Sequence, residues 1–245
     1  MILSLDCGNT RVKWGLWDGQ GWGARGYWLT AELAAKCPNL GASRPIAEIV
    51  ACNVAGPAVE ARIAAWGLPL RWCRAEERQC GVSNGYDNPA QLGADRWAAL
   101  IGARGRHDGP CLVVNAGTAT TIDVLSAQGH FEGGLILPGL DLMRSSLARG
   151  TAGLPEARGA FALRPTNTDD AIESGCLAAT LGAIERLFAP LAAEREGEDA
   201  EALCLISGGA APALLPHLTL PRRAVENLVL EGLVRIASDD GSGII

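Results

Sequence analysis

The chain has 245 residues, of which 48% are hydrophobic, and this is enough for one large domain or two smaller ones with a substantial core. A formal net charge of −6 and the lack of any run of Lys or Arg argue against a nucleic-acid surface or an anionic-membrane patch. Eight cysteines without a C-x-x-C pair indicate structural thiols in a reducing compartment. The chain begins directly with a predicted strand, and no apolar stretch is expected to reach membrane-spanning length, so we expect a cytoplasmic protein.

The first half of the chain is predicted to follow a β-β-β-α-β-α succession and to end in a further helix. Thr30 is a good N-cap for a short helix, and Pro57 and Gly67 bracket a second one. Asn-Gly and Asn-Pro pairs mark 84–91 as a loop. In chain order, the expected elements are strands over 2–6, 11–17 and 25–29, a helix over 30–36, a strand over 46–52, a helix over 57–66, a strand over 70–73 and a helix over 92–103.

The second half is predicted to begin with a hairpin like that of the first half. Thr168, followed by two Asp residues, signals the N-terminus of a long helix. The strand that ends at Ser207 runs into two glycines ahead of Pro212, which suits nucleotide binding and a plain strand-to-helix turn equally well. In chain order, the expected elements are a hairpin over 111–125, a strand over 134–137, helices over 140–149 and 168–188, a strand over 202–206, a helix from 212 and a final helix over 226–237.

The same kind of turn follows the first strand of each half: the first turn is DCGNT at 6–10, and the second turn is NAGTA at 115–119. Each contains a polar residue, a glycine two residues on and a hydroxyl residue soon after. Glycine lets a ligand approach the backbone closely, so two such turns facing each other would suit a phosphate chain, with Asp6 placed to hold the accompanying divalent metal. A single copy would favour an ordinary hairpin. The repetition at half-chain spacing favours the functional interpretation.

Four motifs resemble those of the type III pantothenate kinases, and they occur as DCGNT at 6–10, LGADR at 92–96, NAGTA at 115–119 and TDDAIESG at 168–175. That family belongs to the superfamily of actin-like, sugar-kinase and heat-shock chaperone ATPases. The resemblance covers nearly the whole chain and implies an α/β protein with two duplicated ribonuclease-H-like (actin-like ATPase) domains, 1–110 and 111–245, with a nucleotide cleft between them. It also implies an ATP-dependent enzyme that converts pantothenate to 4′-phosphopantothenate, the first step of coenzyme A biosynthesis.

The resemblance further implies which residues bind ATP and its metal. Asp6 would hold Mg²⁺ through the phosphates, and Thr118 would contact ATP from the second turn. The remaining ATP-binding residues all belong to the first turn or to the strand after it: Cys7, Gly8, Asn9, Thr10, Arg11, Val12 and Lys13. Phosphoryl transfer depends mainly on positioning and on neutralisation of charge, which explains a metal-binding carboxylate beside backbone donors.

The pantothenate site is implied in the same way. Asp95 would be the general base that takes the proton of the primary hydroxyl as its oxygen attacks the γ-phosphorus. Arg96 suits the substrate carboxylate because its planar guanidinium can make two parallel hydrogen bonds. Without the flanking motifs, a solvated pair near a helix start would be the favoured interpretation of these two residues. The other implied substrate contacts come from the same segment and from the neighbouring subunit of a homodimer: Tyr86, Gly93, Ala94 and, from the neighbour, Thr168.

One position departs from the family pattern. The pattern commonly has Asp at the first position of the second turn, where the carboxylate binds an activating monovalent cation, and this chain has Asn115. An amide oxygen still ligates K⁺ or NH₄⁺ but brings no charge. The sequence therefore leaves a cation site at Asn115 open.

Two other functions also stay open. One is a kinase-fold accessory protein that acts in transcriptional regulation through a partner, and the change at Asn115 is the only sequence feature that favours it. The presence of Asp6, Asp95, Arg96 and Thr168 speaks against it, because a protein without catalytic activity has no need of a base and a substrate clamp. The other is a kinase or phosphohydrolase of the same superfamily that acts on a sugar or polyphosphate, which sugars offered as competing acceptors would reveal.

Overall fold

The computed structural model of this protein describes residues 1–37, 39–42, 44–156, 158–193 and 201–239. Its strands are β1 (Ile2–Cys7), β2 (Arg11–Trp17), β3 (Trp22–Leu29), β4 (Glu48–Asn53), β5 (Leu70–Trp72), β6 (Arg78–Gln79), β7 (Val82–Asn84), β8 (Cys111–Ala116), β9 (Ala119–Leu125), β10 (His130–Pro138), β11 (Leu203–Ser207) and β12 (Arg222–Ala224). Its α-helices are α1 (Pro57–Ala64), α2 (Ala94–Arg104), α3 (Leu140–Gly150), α4 (Thr168–Ala193), α5 (Ala211–Leu214) and α6 (Leu228–Ser238).

The chain divides into two compact units. The first unit contains residues 1–108 and 129–132 and the residues from 227 onward, and the second unit contains 109–128 and 133–226. The sequence predicted a division between 110 and 111 with everything beyond it in one domain. The compact units differ from that division because helix α6, near the end of the chain, packs in the first unit.

The first unit is built on a five-stranded sheet with the order β3-β2-β1-β4-β5. Strand β1 runs antiparallel to β2 and parallel to β4, and the apolar residues of these strands form a buried core. Helices α2 and α6 pack closely through Gly102 and Gly232, where a Cβ on either glycine would overlap a backbone oxygen of the other helix. The Ser4 hydroxyl donates to the Leu230 carbonyl, which ties α6 to β1.

Most predicted elements of the first unit are confirmed, but the helix expected over 30–36 is wrong, because only a 3₁₀ turn over Thr30–Glu32 forms. The Thr30 hydroxyl does not cap a helix; it donates to the Gly8 carbonyl over 2.7 Å. The short hairpin of β6 and β7 was not predicted. Its two connecting residues both have positive φ, 50° at Cys80 and 79° at Gly81, which suits a tight two-residue turn and leaves little sequence signal.

In the second unit, the strand order is β12-β11-β8-β9-β10. Strand β8 runs antiparallel to β9 and parallel to β11, so the central pairings have the same directions as those of β1 in the first unit. The core lies between this sheet and α4, with Leu112, Ile122, Ile184 and Ile206 fully buried. The predicted hairpin over 111–125 is confirmed.

Helix α4 corrects two expectations. Over its 26 residues it is long and apolar enough to cross a membrane by length and composition, so the expectation that no stretch reaches that length was wrong. That property is weak support for a membrane span. Its buried side chains, such as Leu177, Leu181 and Phe188, pack in the core of the second unit, as in the core helix of a globular protein. The helix is capped by Asn167, whose Oδ1 accepts a hydrogen bond from the Asp170 N–H over 2.9 Å, and not by Thr168.

Candidate active site

Asp6 lies at the end of β1 and is the buried carboxylate of the first unit, only 6% exposed. The register of the sheet places it between Lys13 on β2 and Cys52 on β4. Lys13 Nζ is 3.3 Å from Asp6 Oδ2, and the Cys52 thiol donates to Asp6 Oδ1 over 3.7 Å. Each oxygen of the carboxylate therefore has one neighbour that fixes its direction.

The first turn is short and leaves its polar side chains exposed. The Gly8 N–H donates to the Arg11 carbonyl over 3.1 Å, which closes the turn. The side chains of Asn9, Thr10 and Arg11 are exposed. Those of Cys7 and Val12, which were also predicted to bind ATP, are fully buried in the core, so only their backbone groups are available to a nucleotide.

Asp95 lies in the first turn of α2, in the same unit as Asp6. Its Oδ1 accepts a hydrogen bond from the Arg96 N–H over 2.8 Å. Burial, and after it the negative charge of Asp6, raises the pKa of the Asp95 carboxyl. A Cβ at Gly93 would lie 2.7 Å from Asp95 Oδ1, so glycine leaves room for this carboxylate. Two neighbouring carboxylates with different surroundings are suited to two different roles.

Arg96 is 5% exposed, and its guanidinium lies beside two aromatic rings. Its Nη1 donates to the Tyr86 hydroxyl over 2.7 Å, and the group lies 5.6 Å from the ring centroids of both Tyr86 and Phe131. The two rings are themselves 5.2 Å apart. Tyr86 was predicted for this site, whereas Phe131 was missed because it lies on β10, far away in sequence and without a motif of its own.

The second turn lies in the second unit. It is closed by the same kind of backbone hydrogen bond as the first turn, but different residues pack against it. The Gly117 N–H donates to the Ala119 carbonyl over 3.0 Å, and the Gly139 N–H donates to the Thr118 carbonyl over 2.9 Å. The Thr118 side chain is exposed. Gly208, with φ of 101°, packs so closely on Ala116 that a Cβ there would overlap its backbone.

Asn115 has the place in the second sheet that Asp6 has in the first. Its cross-strand partners are Thr121 on β9 and Ser207 on β11, just as those of Asp6 are Lys13 and Cys52. A charged set in the first unit thus corresponds to a neutral set in the second. The repeated turns already match Asp6 with Asn115 in the sequence, whereas the match of their cross-strand neighbours depends on the pairing register.

Asp6, Asp95, Arg96 and Tyr86 come together within the first unit. Thr118, Asn115 and Thr168 belong to the second unit, and their part in one common site stays a prediction. Thr168 is exposed at the start of α4, where capping by Asn167 leaves its hydroxyl out of the cap.

The side chains of the first unit fit a divalent metal that arrives with a nucleotide. No group of three or more His, Cys, Asp or Glu side chains that could hold an ion occurs in the described part of the chain. Mg²⁺ needs no such group, because it takes one or two carboxylates and fills its remaining positions with phosphate oxygens and water. The buried Asp6 carboxylate at the start of the first turn suits that arrangement.

Two solved structures share this fold across the full length of the chain. A putative Baf family transcriptional activator from Campylobacter jejuni matches with a TM-score of 0.65 and 19% identity, covering 98% of each chain. A putative 2-dehydro-3-deoxygalactonokinase from Sinorhizobium meliloti matches with a TM-score of 0.58 and 16% identity, covering 100% of each. The chain therefore shares the two-sheet α/β fold of these two proteins, one of which is named as a kinase.

The sequence comparisons give the particular family. A family model described as type III pantothenate kinase matches residues 2–190. The type III pantothenate kinase of Aromatoleum aromaticum is 52% identical over 246 residues, which cover 99% of this chain and 100% of that protein. The type III pantothenate kinase of Azoarcus sp. is 49% identical over 251 residues, covering 99% and 92%. The chain belongs to the type III pantothenate kinase family.

Proposed function

We propose that this chain transfers the γ-phosphoryl group of ATP to the primary hydroxyl of pantothenate. The product, 4′-phosphopantothenate, is the first intermediate of coenzyme A biosynthesis. The proposal is carried by one observation: Asp6 and Asp95 lie close enough in the first unit for the charge of one to act on the other. The chain that contains them is 52% identical to a full-length family member. An accessory role in transcription is not favoured, because the relative named as an activator is only 19% identical and supports the fold alone.

In this proposal the first turn binds the phosphates of ATP. Asp6 holds Mg²⁺, which when bound neutralises negative charge on the phosphates. Lys13, whose ammonium lies beside the same carboxylate, adds a second positive group at this place. Gly8 lets the phosphate chain approach the backbone, Asn9, Thr10 and Arg11 offer exposed donors, and Cys7 and Val12 act through backbone groups alone. Thr118 of the second turn is a further proposed contact.

Asp95 is the proposed general base. It accepts the proton of the substrate hydroxyl as that oxygen attacks phosphorus. A raised pKa makes a carboxylate a better proton acceptor near neutral pH, as long as the group stays ionised. Activity should therefore fall as the pH is lowered through the raised pKa of Asp95.

Arg96 is the proposed clamp for the substrate carboxylate. Its hydrogen bond to the Tyr86 hydroxyl and its place beside two rings hold the guanidinium in one orientation before substrate arrives. Such preorganisation favours a planar carboxylate over a neutral sugar hydroxyl. The backbone of Gly93 and Ala94 completes the proposed pocket.

The proposal has a wider part that concerns the second unit and the assembly. The matching registers around Asp6 and Asn115 support two duplicated ribonuclease-H-like domains. The exposed Thr168 supports a homodimer in which this residue reaches the pocket of the neighbouring subunit. Asn115 is a candidate ligand for K⁺ or NH₄⁺. We propose a cytoplasmic enzyme that needs neither nucleic acid nor membrane.

The test is phosphorylation of pantothenate by the purified protein with ATP and Mg²⁺, with and without K⁺ or NH₄⁺. We expect turnover of pantothenate, and we expect that added sugars, offered as competing acceptors, do not inhibit it. Stimulation by K⁺ or NH₄⁺ would support a cation site at Asn115. A folded dimer that phosphorylates no pantothenate under any cation would refute the proposed reaction.

A further inference from the structure

We propose that Cys52 is a positioning residue for the reaction, because its thiol donates a hydrogen bond to Asp6 Oδ1 and so orients that carboxylate towards the metal. The inference rests on the proposed function, since it takes Asp6 as the metal ligand. Cys52 lies directly beside Asp6 in the parallel pairing of β1 and β4, with Sγ 3.7 Å from Oδ1. It is fully buried and belongs to none of the motifs that identify the site.

The two oxygens of the Asp6 carboxylate have different surroundings. Oδ1 meets the buried thiol of Cys52, whereas Oδ2 meets the ammonium of Lys13, whose side chain is 32% exposed. The Oδ2 side is thus the side open to an incoming metal and nucleotide. A carboxylate without its Cys52 contact could rotate and present its oxygens to the metal in more than one way.

The thiol is suited to this role because its S–H group can donate to the Asp6 Oδ1 that lies 3.7 Å away. The S–H group is a weak donor, so its contribution lies more in orientation than in binding energy. Groups that orient a metal ligand typically change metal affinity or activity by about 10–100-fold when they are removed.

The second unit offers an independent parallel. Ser207 occupies the position beside Asn115 that Cys52 occupies beside Asp6, and it too is buried. Both units therefore place a small side chain with a donor hydrogen next to the polar residue that ends the central strand. If packing were the only task of Cys52 and Ser207, apolar side chains would serve equally well at both positions.

The experiment compares Cys52→Ala, Cys52→Ser and Cys204→Ala with the wild-type protein. Cys204 is a matched control because it is equally buried and belongs to the second unit, on β11. The affinity for Mn²⁺ is measured by electron paramagnetic resonance in the presence of a non-hydrolysable ATP analogue, and thermal unfolding is recorded for every variant. Turnover of pantothenate by the same samples gives a separate readout.

We expect Cys52→Ala to weaken Mn²⁺ binding about 10–100-fold. Cys52→Ser keeps a donor and should restore most of the affinity, and Cys204→Ala should bind Mn²⁺ like the wild type. Equal affinities for wild type and Cys52→Ala, equal losses in Cys52→Ala and Cys204→Ala, or no rescue by Ser would overturn the inference.

The proposed function can fail separately. If Mn²⁺ binding depends on Cys52 but the wild-type protein phosphorylates no pantothenate, pantothenate is not the acceptor and the positioning role stays supported. A wild-type protein that binds no Mn²⁺ with the nucleotide analogue would overturn both.

Discussion

The first turn at 6–10 and the second turn at 115–119 occupy the same place in their sheets but present different chemistry. Asp6 is flanked by Lys13 and Cys52, and its counterpart Asn115 is flanked by neutral residues. The first turn is supported from outside by hydrogen bonds, among them those from the hydroxyl and the N–H of Thr30 to the carbonyls of Gly8 and Thr10. The second is packed against two glycines, Gly139 and Gly208.

This difference shows that a repeated hairpin can keep its backbone geometry while its side chains differ in chemistry. The turn shape depends on a glycine and on strand pairing, which both units keep. The charge depends on one side chain and its cross-strand neighbours, which only the first unit has. We therefore expect substitutions around the first turn to affect chemistry, and substitutions around the second turn to affect stability.

The largest effect is expected for Asp95→Asn, beside the first turn. Loss of a general base should lower kcat by about 10²–10⁴-fold and leave the fold intact. Burial makes the charged form of Asp95 costly and raises its pKa, so the stability it supplies is present below its unfolded pKa and is lost as the pH rises through the folded value. The variant should therefore unfold at a higher temperature than wild type at pH 7.

Thermal unfolding of wild type and Asp95→Asn between pH 3 and pH 8 checks the second part of this expectation. The stability difference should shrink towards about pH 4 and below, where the carboxyl is protonated in both states. Undiminished turnover in the variant would remove Asp95 from its role as base.

Exchanging the charge between the two turns should have the next largest effect. Asp6→Asn should reduce kcat/KM by about 10²–10³-fold, because the site loses the charge that holds the metal with the phosphates. Asn115→Asp should leave turnover in Mg²⁺ within a few-fold of wild type and strengthen its response to K⁺. Steady-state kinetics over a range of Mg²⁺ and K⁺ concentrations measure both. Equal losses from the two substitutions would show that the turns share the chemistry.

Glycine replacement should separate the turns by stability. Gly208→Ala forces a residue with φ of 101° to carry a Cβ against the Ala116 backbone, which should cost about 1–3 kcal/mol in strain and a similar amount in overlap. In Gly8→Ala the new Cβ would lie 3.2 Å from the Arg11 carbonyl oxygen, which is a tight contact without positive-φ strain, so this variant should lose less folding free energy than Gly208→Ala. Its KM for ATP should rise, since the methyl group occupies space at the phosphates. Urea unfolding and ATP titration give the two readouts.

The smallest effect is expected for Thr30→Val. This change removes the 2.7 Å hydrogen bond to the Gly8 carbonyl with little change in shape, and a typical net loss is about 0.5–1.5 kcal/mol. Because that contact holds the first turn, KM for ATP should rise modestly while kcat stays close to wild type. A change confined to kcat would contradict a supporting role for Thr30.

Local motifs explain why much of the candidate site could be predicted from the sequence. Asp6 and Asp95 each lie in a short motif, so they could be singled out as candidates without the fold. Cys52 and Phe131 were missed, because each reaches its partner through strands that are distant in sequence. Thr30 was mistaken for a helix cap, since its use by the first turn depends on tertiary contact. The place of α6 in the first unit likewise depends on its close packing with α2 at Gly232, which no local pattern encodes.

The position of helix α6 has a consequence for how the chain is made. Its contacts with α2 and with Ser4 form only after residues beyond 227 have left the ribosome, although the sheet that they complete begins at residue 2. Nearly all of the second unit is synthesised before then. During translation the second unit can therefore finish folding first, while the part of the N-terminal sheet that α6 covers stays exposed until that helix is made.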